Sequence, residues 1–186
     1  QPCALQAFVV KQPATTEIYT HTTGPMGQLL LTSDGEQLTG LYFPCHQDQH
    51  QPGPDWTCDE GPFAEVRRQL AAYFAGELTE FDIPLAMHGT PFERRVWSAL
   101  RRIAYGTTVS YRDIAHRIGK ATACRSVGMA NGRNPIPIIV PCHRVIGADG
   151  SLTGYGGGLE TKKWLLELEG IELRTRRAKH SLAGAQ

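Results

Sequence analysis

Cys142 and His143 are neighbours in the chain, and Arg144 follows them. A thiol attacks only as its thiolate, and the ordinary cysteine pKa of about 8.5 falls beside cationic groups. An imidazole next to such a thiol is the partner that takes its proton. The alternative is a small buried hydrophobe, a common fate of free cysteine. Glu169 is the third candidate, because an imidazole acting as base is oriented by a carboxylate on its second nitrogen.

The elements around these residues must position them. Residues 136–140, Ile-Pro-Ile-Ile-Val, form a short β-branched run between Pro135 and Pro141. It reads as a buried strand delivering the thiol to the rim of a core. Residues 159–169 read as a helix closed by Gly170, with Trp164, Leu165 and Leu168 inward and Glu160, Lys163 and Glu167 outward. Glu169 lies four residues after Leu165 and three after Leu166, at the edge of the buried side. A carboxylate there needs a partner, for which His143 is the attractive choice; the alternative is a capping glutamate near solvent.

Upstream of the thiol the chain reads as helical. A helix opens at Pro91 with Phe92, Val96, Trp97 and Leu100 on one face, and it is expected to run to Tyr105-Gly106. Ser110-Tyr111-Arg112-Asp113 has the form of a capping box, starting a helix closed at Gly119. A second helix follows over about 122–131, so the pair is a helix-turn-helix candidate. Its side chains Thr122, Ala123, Ser126 and Gly128 are small, and Arg125 is the long one. Small residues permit close approach to a narrow groove, or else tight packing inside the protein. Arg112, Arg117, Lys120 and Arg133 suit phosphate contacts.

The first half reads differently. Residues from Glu17 to Phe43 show strand patterns joined by turns at Gly24-Pro25 and Asp34-Gly35. A polar linker covers 47–55, and residues 63–74 carry helical spacing at Phe63, Val66, Leu70, Tyr73 and Phe74, stopped by Gly76. Residues 1–16 are expected to be a flexible arm and 174–186 a disordered basic tail. Pro44-Cys45-His46 repeats the tripeptide of the candidate centre without the Arg or the apolar approach, and reads as coincidence. Cys45, His46, His50, Cys58 and His88 lack the spacing of a zinc site, so no metal is expected.

Charge separates the halves. Residues 1–91 hold 3 Lys and Arg against 11 Asp and Glu, a net −8, and residues 92–186 hold 16 against 7, a net +9. The basic half suits a polyanion. Five cysteines at irregular spacing argue against a disulfide framework and for a reducing compartment. No apolar run is long enough to span a bilayer, and Gln1 opens no signal-peptide pattern, so a cytoplasmic protein is expected, nuclear if the source is eukaryotic.

Pro141-Cys142-His143-Arg144-Val145-Ile146-Gly147, with Asn134-Pro135 before it and Gly154-Tyr155-Gly156-Gly157-Gly158 after it, resembles the signature of the methylated-DNA–protein-cysteine methyltransferases. The likeness extends through Ser110-Tyr111, residues 125–128 and Trp164-Leu165-Leu166 to Glu169-Gly170, dense over about 90–170. It implies an α/β + α fold: an RNase H-like N-terminal α/β domain over 17–88 and a mainly helical C-terminal domain with a helix-turn-helix over 89–173. It further implies direct-reversal repair, in which a minor-groove helix-turn-helix everts the base and Cys142 irreversibly takes the alkyl group of O6-alkylguanine. His143 is then the base acting through a water, Glu169 its orienter, and Asn134 a brace of the loop. Tyr111 helps turn the nucleotide out, and Arg125 fills the gap in the stack. Arg112, Lys120, Thr122, Ala123 and Ser126 become DNA contacts, while Pro137, Val145, Tyr155 and Gly156 form the substrate pocket.

The expected partner is double-stranded DNA carrying O6-alkylguanine, with O4-alkylthymine kept open. The protein is expected to be a monomer, with no cofactor and no membrane. The thioether product has no route to hydrolysis, so each molecule should act once. The competing readings are a damage-flagging DNA-binding module without chemistry and a Cys-His hydrolase that turns over. Binding that survives loss of the thiol marks the first of these, and repeated turnover marks the second.

Overall fold

A computed structural model of the chain describes residues 17–45 and 51–173. The expected arm at 1–16 and tail at 174–186 lie outside the described residues, as do His46 and His50.

Three strands, β1 (Ile18–Gly24), β2 (Gly27–Ser33) and β3 (Leu38–Tyr42), form an antiparallel meander. The short β4 (Thr57–Cys58) pairs parallel with β1, giving the order β3-β2-β1-β4. The hairpins sit where the turn residues fall: Gly27 and Gly35 adopt φ of 101° and 103°, which favours glycine. The Asp34 carboxylate accepts from the backbone N–H groups of Glu36 and Gln37 and closes the second turn. Helix α1 (Ala64–Phe74), entered through a 3-10 turn at Gly61–Phe63, buries Phe63, Val66, Leu70 and Tyr73. Its stripe at helical spacing supplies the apolar face that the sheet needs.

The second half is built on α2 (Pro91–Leu100), α3 (Tyr111–Arg117), α4 (Cys124–Gly132) and α5 (Leu159–Leu168). Both α2 and α3 begin with complete capping boxes, Thr90 with Glu93 and Ser110 with Asp113, which satisfy the N–H groups of the cap and of the third helical residue. Trp97 Nε1 donates to the Ala130 carbonyl at 2.8 Å, which locks α2 to α4. Two-residue strands β5 (Val109–Ser110) and β6 (Val145–Ile146) pair in parallel. That ladder sets the start of α3 beside the segment carrying Cys142. One continuous core joins the halves, running from Leu29 and Phe43 through Trp97 to Val140 and Leu165.

Three boundaries differ from the sequence expectation. Helix α2 stops at Leu100, and three-residue backbone turns bury Ile103 instead of continuing the helix toward Tyr105. Helix α4 starts at Cys124, so Thr122 lies in the preceding turn and Ala123 is its N-cap. Residues 136–140 are buried, as the apolar run requires, but they form no strand. Asn134 closes them into a loop, accepting from the Ile136 N–H at 3.1 Å and donating to the Val140 carbonyl at 2.8 Å. Ile138 sits at φ 74°, a strained conformation for a β-branched residue. Prolines at 135, 137 and 141 remove the N–H donors a ladder would need.

Candidate active site

The centre is assembled from four parts of the chain: α1, the turn after Leu100, a 3-10 turn at Cys142–Arg144, and the end of α5. Cys142 is 4% exposed and His143 is fully buried. His143 Nε2 lies 2.9 Å from Glu169 Oε1. A carboxylate only accepts, so Nε2 carries the proton in that bond and the neutral ring keeps an open lone pair on Nδ1. That Nδ1 has no protein partner among the described residues.

Glu169 is the hub. Arg144 donates to it in a fork, Nε to Oε2 at 2.9 Å and Nη2 to Oε1 at 2.9 Å. Tyr73 donates its hydroxyl to Oε1 at 2.7 Å, and the Gly106 backbone N–H reaches Oε2 at 3.2 Å. Burial works to raise the carboxyl pKa, but the hydrogen bonds from His143 and Arg144 outweigh it and hold the group at about 2. Glu169 therefore stays ionised in the interior, with its charge matched by the Arg144 guanidinium. Arg144 also donates to the Ile103 carbonyl at 2.6 Å, which ties the turn after α2 to the site.

The thiol is under opposed influences. Burial pushes it up to about 11, against the Asn134 amide, the Lys162 charge and the backbone N–H groups of Cys142 and His143. At neutral pH it is a protonated thiol surrounded by groups that favour its anion. Lys162 is fully buried, and its Nζ donates to the Val145 carbonyl at 2.6 Å and the Thr153 carbonyl at 2.9 Å. Burial lowers this amine to about 8, while the nearby Cys142 favours its charge. Burial likewise lowers His143, which suits a neutral base.

A cavity of about 410 Å³ opens on Cys142 and is lined also by Asn131, Asn134, Pro137, Tyr155 and Gly156. The site thus brings Cys142, His143, Glu169, Asn134, Pro137, Tyr155 and Gly156 together. Val145 and Tyr111 do not line that cavity: the Val145 carbonyl holds Lys162, and the Tyr111 hydroxyl accepts from Thr153 at 3.0 Å. Arg125 and Ser126 are exposed on α4, Arg112 on α3, and Lys120 and Thr122 on the turn between them, while Ala123 is half-buried. Gly128 faces the Tyr111 ring, and a Cβ there would make an ordinary contact with it at 3.8 Å.

Sequence reasoning passed over Tyr73, Lys162 and Asn131, and it gave Arg144 no link to Glu169. Lys162 had a signal: it precedes Leu165 and Leu166 by three and four residues, so the periodicity of α5 places it inward. Among the described residues no cluster of His, Cys, Asp and Glu is arranged to hold a metal ion, and no helix is long and apolar enough to cross a membrane.

A strand-and-helix unit beside a helix-turn-helix, with a buried thiol–imidazole–carboxylate between them, defines a two-domain DNA-binding class with cysteine chemistry. The two halves match the ribonuclease-like domain of 6-O-methylguanine DNA methyltransferase over residues 18–87 and its DNA-binding domain over residues 91–171. The chain belongs to the 6-O-methylguanine DNA methyltransferase family, an enzyme family. The methylated-DNA–protein-cysteine methyltransferase of Mycobacterium tuberculosis is 54% identical over 151 residues, 81% of this chain and 91% of that protein. The one from Methanosarcina acetivorans is 52% identical over 146 residues, 78% of this chain and 94% of that protein. The crystal structure of M. tuberculosis OGT in complex with DNA superposes with a TM-score of 0.76 at 54% identity, covering 82% of this chain and 92% of that one.

Proposed function

We propose that the protein repairs double-stranded DNA by moving the alkyl group of O6-alkylguanine onto Cys142, once per molecule. The observation that carries this reading is the His143 ring, pinned through Nε2 to a buried ionised Glu169 with Nδ1 left without a protein partner among the described residues, in the residue next to a thiol that faces a cavity. O6 of guanine lies inside the duplex, so the base must be turned out at a cost of a few kcal/mol. Helix α4 enters the minor groove, Arg125 takes the place of the departed base, and Tyr111 helps turn the nucleotide. Arg112, Lys120, Thr122, Ala123 and Ser126 contact the surrounding DNA. The unit carrying this work is assigned to residues 89–173, and residues 17–88 form the other.

The Cys142 proton passes through a water to His143 Nδ1, and Glu169 stabilises the resulting imidazolium. The sulfur attacks the alkyl carbon, an S–C bond forms, and the C–O6 bond breaks with its electron pair going to guanine. The proton held on His143 returns to the leaving base. Sulfur then sits in a thioether, and nothing in the site can hydrolyse it. The protein acts as a monomer on DNA, in the cytoplasm or in a eukaryotic nucleus, and the pocket leaves O4-alkylthymine as a second substrate to try.

Incubation with an O6-methylguanine duplex tests this. The expected result is one methyl on the Cys142 peptide and no more than one equivalent of repaired guanine. Methyl on Cys45, methyl on no cysteine, or repeated turnover would each overturn the proposal.

A further inference from the structure

The cavity over Cys142 has a wall from the other half of the chain. Leu41, Tyr42 and Phe43, at the end of β3, line it together with the C-terminal residues. Four separate contacts hold that wall in place. The Leu41 N–H donates to the Pro135 carbonyl at 2.9 Å. The Phe43 ring meets the Tyr155 ring edge-on, with centroids 5.7 Å apart. Gly157 lies so close to Phe43 that a Cβ there would stand 2.9 Å from the ring. The Cys45 thiol approaches the Gly156 carbonyl at 3.5 Å.

We infer that the end of β3 is a specificity element of the alkyl cavity: Phe43 limits the size of the group that Cys142 can receive. The inference rests on the proposed alkyl transfer and concerns which alkyl groups pass. Phe43 is 2% exposed and stands behind Tyr155, whose ring in turn faces His143 at 6.4 Å. It therefore acts through Tyr155, fixing how far that ring can retreat from the sulfur. Tyr42 turns the other way: its ring lies over Gly40 and its hydroxyl is bonded to Thr32, so its side chain does not back Tyr155. A well-packed wall yields little, because interiors are close-packed and a displaced ring loses its contacts. A methyl group needs no retreat; a benzyl group needs the Phe43–Tyr155 pair to move. The N-terminal domain thus sets adduct range from a sequence distance that no local motif spans.

The test compares single-turnover transfer from O6-methylguanine and O6-benzylguanine duplexes. Phe43→Leu should raise the benzyl-to-methyl rate ratio by about tenfold, the scale on which hydrophobic pockets discriminate by size. Tyr42→Ala, which removes the neighbouring ring that lies over Gly40, should leave the ratio unchanged. A complementary arm avoids any change to the core: Cys45→Trp, at the exposed position next to the Gly156 carbonyl, should lower the ratio by about tenfold. The ratio is the readout because general destabilisation slows both substrates alike. If Phe43→Leu folds and the ratio stays put, the inference is overturned; if it does not fold, an unmoved ratio in the Cys45 arm overturns it. Failure of the unmodified protein to take methyl would instead overturn the proposed transfer.

Discussion

Pro-Cys-His occurs twice in this chain, at 44–46 and 141–143, and the two cysteines meet opposite fates. Cys45 is exposed on the cavity rim, its sulfur directed to one carbonyl, and His46 lies outside the described residues. Cys142 is buried, and the imidazole after it is held by a carboxylate that Arg144, Tyr73 and Gly106 also hold. The tripeptide is the same; the difference is made by residues 70 positions upstream and 26 downstream of His143. Reactivity here belongs to the assembled surroundings rather than to the motif.

The comparison breaks most completely at the sulfur. Cys142→Ser should abolish alkyl transfer, while Cys45→Ser should leave methyl transfer intact, as read by methyl incorporation. Next in size is Glu169→Gln. It leaves the buried Arg144 without its counter-charge, a loss of about 3–5 kcal/mol by urea denaturation. The same carboxyl gives a pH signature. Its folded pKa of about 2 lies below the ordinary 4.5, so the unfolded chain binds the extra proton between them. Its stabilisation is complete above about 4.5 and disappears as pH falls toward 2, and Glu169→Gln should flatten that slope. A smaller effect is expected from Lys162→Met. It strips a charged donor from two carbonyls and should cost about 1–3 kcal/mol. It also removes the positive charge that Lys162 carries beside Cys142 below about pH 8, so Cys142 alkylation by iodoacetamide at about pH 7 should slow. Cys45 in the same sample should not change.

Much of the site could be read from residue types. The adjacency of Cys142 and His143 and the position of Glu169 on its helix needed only local chemistry and the 3.6-residue period. Tyr73 was legible as part of an apolar stripe, but its hydroxyl points to a residue 96 positions away, which no local pattern encodes. The loop at 136–140 looked like a strand because composition reports burial, and the side-chain bonds of Asn134 decided its path. The capping box at Ser110 was read correctly from four residues, since that motif is closed within itself. The one at Thr90 follows the same rule and was missed beside the more conspicuous Pro91.

The Tyr73–Glu169 bond ties the last turn of α1 to the last residue before Gly170. A subglobal opening that released either helix alone would strand a buried ionised carboxylate or a phenol without its acceptor. Hydrogen exchange in α1 and α5 should therefore proceed as a single cooperative unit, so the two domains share one foldon.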